Sequence, residues 1–183
     1  MSESPRIPRR VCVFAGSSVG TDPAFLAAAH ELGGALAGRG LGLVFGATGA
    51  GLMGAVADGA IEAGGEVIGV TPRFLAEVAD DQPGVEIRLV DTLAERKLLM
   101  AELAAGFIAL PGGLGTLDEL AEMATWTQLG VHDKPVVLLD VLGYWSKLEE
   151  LLDSMVDNGF LRPENRSLLQ FAADPTAALD ALA

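Results

Sequence analysis

The sequence predicts a single-domain, Rossmann-like α/β fold in which a doubly wound parallel sheet carries helices on both faces. Short apolar runs alternate along the chain with longer segments of helical pattern, which is typical of parallel strands joined by right-handed crossovers. The strand runs read as apolar throughout, which indicates a sheet that is covered on both faces. The 183 residues, half of them hydrophobic, fit one domain with a full core.

The order of the elements follows from these runs. The predicted strands lie at residues 11–15, 41–45, 66–70, 85–90, 106–110 and 136–140. The main predicted helices lie at residues 22–38, 52–63, 93–104, 116–129 and 144–157, and shorter helical pieces follow. Asp22 and Pro23 are a typical helix start, because aspartate caps an N-terminus and proline suits the first turn. We expect a flexible tail at residues 1–9, a domain at residues 10–183, and an exposed acidic loop around Asp80 and Asp81.

The charge and the rare residues exclude several classes of protein. A formal net charge of −13, with no basic stripe to offset it, argues against binding to nucleic acid or to an anionic membrane surface. One cysteine, Cys12, and two distant histidines, His30 and His132, exclude a disulfide framework and give no metal-ligand spacing. No stretch reaches the roughly 20 apolar residues that cross a bilayer, and residues 2–10 lack the apolar core of a signal peptide. We therefore expect a cytoplasmic protein.

Three turns after strands, at residues 16–21, 46–51 and 111–116, form the predicted ligand site. Ligands of doubly wound sheets bind beyond the carboxyl ends of the strands, where the strand order reverses. The second turn contains Gly49, Gly51 and Gly54 in the G-x-G-x-x-G spacing of a dinucleotide site. The acidic residue that should follow about 20 positions later is missing. Close packing of helix against sheet is therefore the alternative explanation of these glycines.

The turn after the fifth strand is a more specific signal. Gly112, Gly113 and Gly115 allow the backbone to approach a ligand closely, and Thr116 stands where a helix is predicted to begin. The free N–H groups and the positive dipole end of that helix make a phosphate cradle in physical terms. No lysine follows the last glycine, so the turn is not a Walker A loop.

Two charged residues near this cradle have both a structural and a functional interpretation. Glu119 follows Thr116 at capping-box spacing, which favours a helix-capping role, but it also lies within one turn of the cradle and could meet the sugar of a bound nucleotide. Arg96, in the run Glu95-Arg96-Lys97, fits either a solvated charged face or an anion-binding residue that reaches the same pocket. Sequence physics alone leaves the choice at Arg96 open.

Short motifs spread from residue 11 to about residue 161 match those of one known family. They are F-A-G-S-S at 14–18, G-L-M-G at 51–54, E-R-K at 95–97, P-G-G-L-G-T-L-D-E at 111–119, W-T-Q-L-G-V-H at 126–132 and K-P at 134–135. The combination of P-G-G-x-G-T-x-x-E with an upstream E-R-K is highly specific. In these motifs the chain resembles the Lonely Guy family of cytokinin riboside 5'-monophosphate phosphoribohydrolases, often labelled lysine decarboxylase-like.

This resemblance implies hydrolysis of the N-glycosidic bond of a purine riboside 5'-monophosphate, by default one with an N6-modified adenine, to free base and ribose 5-phosphate. The family's catalytic pair corresponds to Arg96 and Glu119. The substrate phosphate would rest on Gly112, Gly113, Gly115 and Thr116. Further candidate substrate-binding residues are Ser17, Lys97 and Glu122. The resemblance also implies no metal, no organic cofactor, and a homodimer or higher homo-oligomer.

Several departures from the family pattern leave the base open. Ala47 and Thr48 stand where glycines are usual, and Leu93 and Ala94 replace a methionine–histidine pair. Plain AMP or another nucleotide is therefore an alternative substrate, and a non-catalytic carrier or sensor of a nucleotide or phosphorylated cofactor is an alternative function. An NAD-dependent enzyme is a third reading, which the missing acidic residue disfavours. Pyridoxal-dependent decarboxylation is poorly supported, because the chain offers only three lysines for a Schiff base.

Overall fold

The computed structural model describes residues 9–76 and 82–182, and there it contains a seven-stranded parallel sheet between two layers of helices. The strands are β1 (Arg10–Phe14), β2 (Gly42–Phe45), β3 (Val67–Pro72), β4 (Val85–Val90), β5 (Gly106–Ala109), β6 (Val136–Leu139) and β7 (Leu169–Ala172). The helices are α1 (Pro23–Gly38), α2 (Gly51–Glu62), α3 (Leu93–Leu103), α4 (Leu114–Gln128), α5 (Ser146–Asp157), α6 (Pro163–Arg166) and α7 (Pro175–Asp180). The six predicted strands and five main helices are confirmed, each within two residues at either end.

The strand order confirms the doubly wound prediction and fixes where a ligand can enter. The sheet runs β4-β3-β2-β1-β5-β6-β7, with each neighbouring pair parallel. The chain therefore winds outward from β1 in one direction, returns through α3, and winds outward again from β5. Helices α1, α2 and α7 cover one face, and α3, α4 and α5 cover the other. The order reverses between β1 and β5, so the crevice lies at their carboxyl ends.

Local signals account for the helix starts that the sequence predicts well. The Asp22 carboxylate accepts a hydrogen bond from the backbone N–H of Ala24 at 2.9 Å, directly before Pro23. At the start of α3 the Thr92 hydroxyl accepts from the N–H of Glu95 at 3.1 Å, while the Glu95 carboxylate accepts from the N–H of Asp91 at 2.9 Å. Each arrangement satisfies N–H groups that have no partner inside the helix.

Two predictions about the sheet are wrong at its edges. The segment Leu169–Ala172, predicted among helical pieces, is β7 and pairs with β6 in the register Leu138↔Phe171. A run of four residues is too short to show the alternating pattern of a strand in the sequence. The segment forms a strand because it pairs with the edge of β6. Strand β4 pairs with β3 at the other edge, and its four central residues are exposed. Strand β4 is therefore not covered on both faces, contrary to the prediction from the sequence. Its sequence V-E-I-R-L-V alternates apolar and charged residues, which is typical of a strand with one face in solvent.

Parts of two predictions lie outside the described residues. These are the tail at residues 1–9, apart from Arg9, and the acidic loop at Asp80 and Asp81. Across 9–76 and 82–182, no helix has both the length and the apolar character that a membrane crossing requires.

Candidate functional site

The turns after β1 and β5 meet at the crevice and are hydrogen-bonded to each other. The N–H of Gly16 donates to the carbonyl oxygen of Pro111 at 3.0 Å. A cavity of about 250 Å³ opens beside this contact, lined by residues from both turns together with side chains of α2, α3 and α4. Its lining includes Ser17, Met53, Arg96 and Glu119. The topology thus brings together residues as distant in the chain as Ser17 and Glu119.

The start of α4 lies where the sequence predicts a phosphate cradle. Helix α4 begins at Leu114 with Gly113 as its N-cap residue, so the N–H groups of the first turn point out of the helix. A Cβ at Gly113 or Gly115 would meet nothing within 4 Å, which leaves both backbones open to a ligand. A Cβ at Gly112 would lie 2.0 Å from the Thr116 hydroxyl oxygen, so that position needs glycine for packing. The arrangement suits an anion, because the helix dipole adds to the free N–H groups.

The capping-box role predicted for Glu119 is wrong. Because α4 begins at Leu114, Thr116 is its third residue and Glu119 its sixth, which is too far along to cap the N-terminus. Thr116 is buried instead, and the Glu119 side chain, also buried, faces the cavity. The same T-x-x-E spacing does mark a helix start at α3, where the Thr92 hydroxyl accepts from the N–H of Glu95 and the Glu95 carboxylate accepts from the N–H of Asp91.

Arg96 points inward from α3 and is held at all three guanidinium nitrogens. Its Nε donates to the carbonyl oxygen of Val70 at 3.0 Å, and its Nη2 donates to that of Gly46 at 3.2 Å. Its Nη1 lies 3.3 Å from Oε1 of Glu119. A Cβ at Gly46 would lie 1.9 Å from Nη2, so this glycine makes room for the guanidinium. The run Glu95-Arg96-Lys97 is therefore not one solvated face, because Arg96 is turned into the cavity.

The environment of Glu119 sets its ionisation. Burial raises the pKa of the Glu119 carboxyl to about 7, and the nearby Arg96 guanidinium partly opposes this rise. Nearby Asp118 raises the pKa further, since a second negative charge disfavours the ionised form. A carboxyl with a pKa near neutrality can exchange a proton with water or substrate at working pH.

Lys97 and Glu122 lie beside the cavity rather than in its lining. The Lys97 ammonium lies 3.0 Å from Oδ2 of Asp118 and 3.1 Å from Oε2 of Glu122, which ties α3 to α4. Burial lowers the pKa of Lys97, but these two hydrogen bonds outweigh that effect and leave the pKa above its usual value. Ser17, by contrast, lies in the lining and is exposed. Substrate contact by Lys97 and Glu122 stays a prediction.

A second cavity of about 290 Å³ adjoins the first and shares Gly16, Ser17 and Gly113 with it. Its other walls include Phe25 and Tyr144. Sequence reasoning missed both aromatic residues, and Met53 in the first cavity was noted only as part of a motif. No local signal marks Phe25 or Tyr144, because each sits in a helical pattern and reaches the site only through the fold.

The glycines of the second turn serve packing. The N–H groups of Leu52 and Met53, at the start of α2, donate to the carbonyl oxygen of Gly16 at 3.0 and 3.3 Å. They are therefore not free to hold a pyrophosphate, which a dinucleotide site requires of this helix. A Cβ at Gly51 would lie 2.3 Å from the Ser17 backbone, and Gly51 also has a φ of +63°. This geometry supports close packing and disfavours the dinucleotide interpretation.

Ala47, one of the departures from the family pattern, adopts a left-handed backbone with φ of 57°. It is buried and faces Gly69, where an added Cβ would lie 2.7 Å from that of Ala47. A residue with a Cβ loses about 1–2 kcal/mol in this conformation, whereas glycine adopts it freely.

Ala47→Gly is expected to raise the free energy of unfolding by up to about 1 kcal/mol, because the relief of strain exceeds the entropy that glycine adds to the unfolded chain. Denaturant unfolding measures this difference. Ala55→Gly, inside α2, is the matched control and should lower stability by about 1 kcal/mol. A loss of stability at both positions would contradict the assignment of strain to Ala47.

Sequence comparison matches most of this chain to one family model and to several curated relatives. The family model described as "Possible lysine decarboxylase" matches residues 53–182. A probable cytokinin riboside 5'-monophosphate phosphoribohydrolase of Oryza sativa subsp. japonica is 44% identical over 176 residues, which are 95% of this chain and 72% of that protein. A cytokinin riboside 5'-monophosphate phosphoribohydrolase of Arabidopsis thaliana is 45% identical over 171 residues, which are 92% of this chain and 78% of that protein.

Solved structures with the same architecture include molybdenum cofactor proteins. The molybdenum cofactor carrier protein of Chlamydomonas reinhardtii superposes with a TM-score of 0.71 at 28% identity, covering 95% of each chain. The molybdenum cofactor binding protein of Rippkaea orientalis also gives a TM-score of 0.71, covering 97% of this chain and 96% of that one, and at 24% identity it bears on the fold alone. With a family model over more than two thirds of its length and relatives at 44–45% identity, the chain belongs to the Lonely Guy family, the group labelled lysine decarboxylase-like.

Proposed function

We propose that the protein hydrolyses the N-glycosidic bond of a purine riboside 5'-monophosphate and releases the free base and ribose 5-phosphate. The observation that carries this proposal is the Arg96–Glu119 pair, 3.3 Å apart, in which Glu119 is buried and Arg96 is partly buried, in the same cavity as the free N-terminus of α4. An anion site and an ionisable carboxyl side by side match a substrate with a phosphate at one end and a reacting sugar carbon next to it. The family relatives carry phosphoribohydrolase names.

The phosphate is assigned to the start of α4. The N–H groups of Gly113, Gly115 and Thr116 lie at the positive end of the helix dipole and can each donate to a phosphate oxygen. Gly112 supports them by admitting the Thr116 side chain. Ser17, exposed at the junction of the two cavities, is the nearest hydroxyl from the facing turn.

Glu119 is assigned to the sugar carbon that loses the base. Breaking the bond from C1′ to the base nitrogen builds positive, oxocarbenium-like charge on the ribose, which a carboxylate stabilises. The same carboxylate can take a proton from the attacking water, whose oxygen becomes the new C1′ hydroxyl. The departing base takes up a proton from solvent at the nitrogen that loses the ribose, and Glu119 then returns its proton to solvent, so the step balances. Arg96 keeps this carboxylate in place and favours its ionised form.

The base itself is proposed to be an N6-modified adenine of cytokinin type, with AMP as the alternative. Leu93 and Ala94 replace the usual methionine–histidine pair at the start of α3, and Leu93 is half exposed there. Neither residue lines the two cavities, so the choice of base is drawn from the names of the relatives, which are cytokinin riboside 5'-monophosphate phosphoribohydrolases.

A product assay tests the reaction and the base together. Purified protein is incubated with isopentenyl-adenosine monophosphate, AMP, GMP and CMP, and free base is followed by chromatography, with Glu119→Gln in parallel. We expect isopentenyl-adenine from the wild type and almost none from the variant. Release from AMP alone would keep the hydrolysis and reject the cytokinin-type base. No free base from any of the four would overturn the proposed reaction for them.

The second candidate function is a carrier or sensor that binds a phosphorylated ligand without turnover. The fold similarity to the Chlamydomonas reinhardtii carrier protein favours it, but the buried, paired Glu119 is a costly feature that simple binding does not require. Calorimetric binding of a nucleotide without any product would establish this alternative.

We also propose that the protein is a homodimer formed through an apolar groove between α4 and α5. The groove, about 400 Å³, is lined by Leu117, Ala124, Leu148, Leu151, Met155 and Leu161. Leu151 is half exposed there, and burying such side chains against a second copy removes apolar surface from water. Sedimentation should give twice the chain mass, and Leu151→Glu should give a monomer. A monomeric wild type at micromolar concentration would contradict the proposal.

A further inference from the structure

Tyr144 touches the backbone of the cradle without belonging to it. It follows the short 3₁₀ turn Val141–Gly143 between β6 and α5, and its side chain lines the second cavity. Its hydroxyl donates a hydrogen bond to the carbonyl oxygen of Gly112. Gly112 lines the second cavity, whereas Gly113 lines both cavities. The contact therefore fixes one side of the peptide unit that joins these two glycines.

Because the peptide is planar, the contact at the Gly112 carbonyl also fixes the direction of the Gly113 N–H. The carbonyl of Gly112 and the N–H of Gly113 belong to one planar trans peptide, so they point in opposite directions. With the carbonyl held toward Tyr144, the N–H is directed away from Tyr144. A peptide between two glycines rotates with little steric hindrance, because neither side carries a Cβ. The Tyr144 hydroxyl thus restrains a peptide that has no side chain on either flanking residue.

The turn that carries Tyr144 is firmly held. The Asp140 carboxylate accepts from the N–H of Trp145 at 2.6 Å, which anchors the turn next to Tyr144. The Tyr144 ring packs edge-on against Phe25 and Trp145, with ring centroids 6.1 and 5.0 Å away. Leu142 keeps a left-handed backbone with φ of 56° although 65% of it is exposed. Strain of this kind persists where surrounding contacts determine the conformation.

We propose that Tyr144 is a positioning residue for phosphate recognition, which acts by holding the Gly112–Gly113 peptide so that the Gly113 N–H stays available to the substrate phosphate. The proposal rests on the proposed function for the identity of that phosphate. Tyr144 does not take part in the chemistry of the sugar, which occurs at Glu119 in the other cavity. Its loss should therefore affect binding more than turnover.

Tyr144→Phe tests this, because the ring keeps its packing and only the hydroxyl is lost. We expect KM for the nucleotide to rise about tenfold, as the loss of one well-placed hydrogen bond implies, with kcat within about threefold and the melting temperature unchanged. Calorimetry with ribose 5-phosphate should show a similar loss of affinity. Adenosine, which lacks the phosphate, should bind the variant and the wild type equally.

The outcomes separate this proposal from the proposed function. If the wild type releases no base but ribose 5-phosphate still binds about tenfold more weakly to Tyr144→Phe, the positioning role stands and the hydrolase reading fails. Equal affinity of both proteins for ribose 5-phosphate, or no binding to the wild type, would overturn the positioning role. A matching loss of adenosine affinity would also overturn it, since Tyr144 would then contact the base directly.

Discussion

Glu119→Gln is expected to lower the rate of base release by about 100- to 10 000-fold, the range typical of losing a positioned acid–base group. Glutamine keeps the size and shape of the side chain, so the loss comes from the missing charge and the missing proton acceptor. The fold should be unaffected, because the amide fills the same volume and Glu119 does not cap the helix. Steady-state kinetics measure the rate, and a thermal melt checks that the variant folds.

The pH dependence of the wild type gives an independent control for this variant. With a folded-state pKa of about 7, the Glu119 carboxylate forms as pH rises through neutrality, and kcat/KM should rise over the same range. The effect on stability runs the other way. The folded pKa lies above the unfolded value near 4.5, so the contribution of Glu119 is complete below about pH 4.5 and is lost as pH rises through 7.

Glu119→Gln should remove both of these slopes, because the amide does not titrate. If the variant keeps its turnover, or if its activity follows the same rise near pH 7 as the wild type, Glu119 is not the group that reacts. The rise would then belong to the substrate phosphate, which titrates in the same region.

The glycine-rich helix start of α4 and the main elements of the fold could be predicted because their signals are local. The glycines at 112, 113 and 115, which lie around the start of α4, indicate within a few residues that the backbone is open there. Apolar runs between helical patterns indicate six of these seven strands in the same local way. In such cases the residues that form the feature are also the residues that signal it.

The orientation of Arg96 could not be predicted, because its partners are distant in sequence. Val70 and Gly46, whose carbonyls accept its hydrogen bonds, lie 26 and 50 residues away, and only the sheet order brings them to one place. The same holds for β7, which is a strand because β6 offers an unpaired edge. Tyr144 reaches the carbonyl of Gly112 across 32 residues by the same route.

Arg96→Ala is expected to abolish measurable base release and to lower the free energy of unfolding by about 1–3 kcal/mol for each buried carbonyl that loses its donor. The variant leaves the Glu119 carboxyl buried without its counter-charge, which raises its pKa further and keeps it protonated at neutral pH. It also leaves the carbonyls of Val70 and Gly46 without their donor. Product chromatography and denaturant unfolding measure the two losses.

The double variant Arg96→Ala with Glu119→Gln separates the structural role of Arg96 from its role in catalysis. A neutral amide needs no counter-charge, so at a pH high enough to ionise Glu119 in Arg96→Ala the double variant should be more stable than Arg96→Ala alone, and it should remain inactive. Losses of stability that simply add would mean that the two side chains do not interact, despite their separation of 3.3 Å. If Arg96→Ala keeps its turnover, the arginine only links α3 to Val70 and Gly46. Some other group would then have to favour the ionised form of Glu119. Recovery of stability without recovery of activity is the result that the geometry predicts, because the guanidinium both compensates the buried carboxylate and keeps it ionised for the reaction.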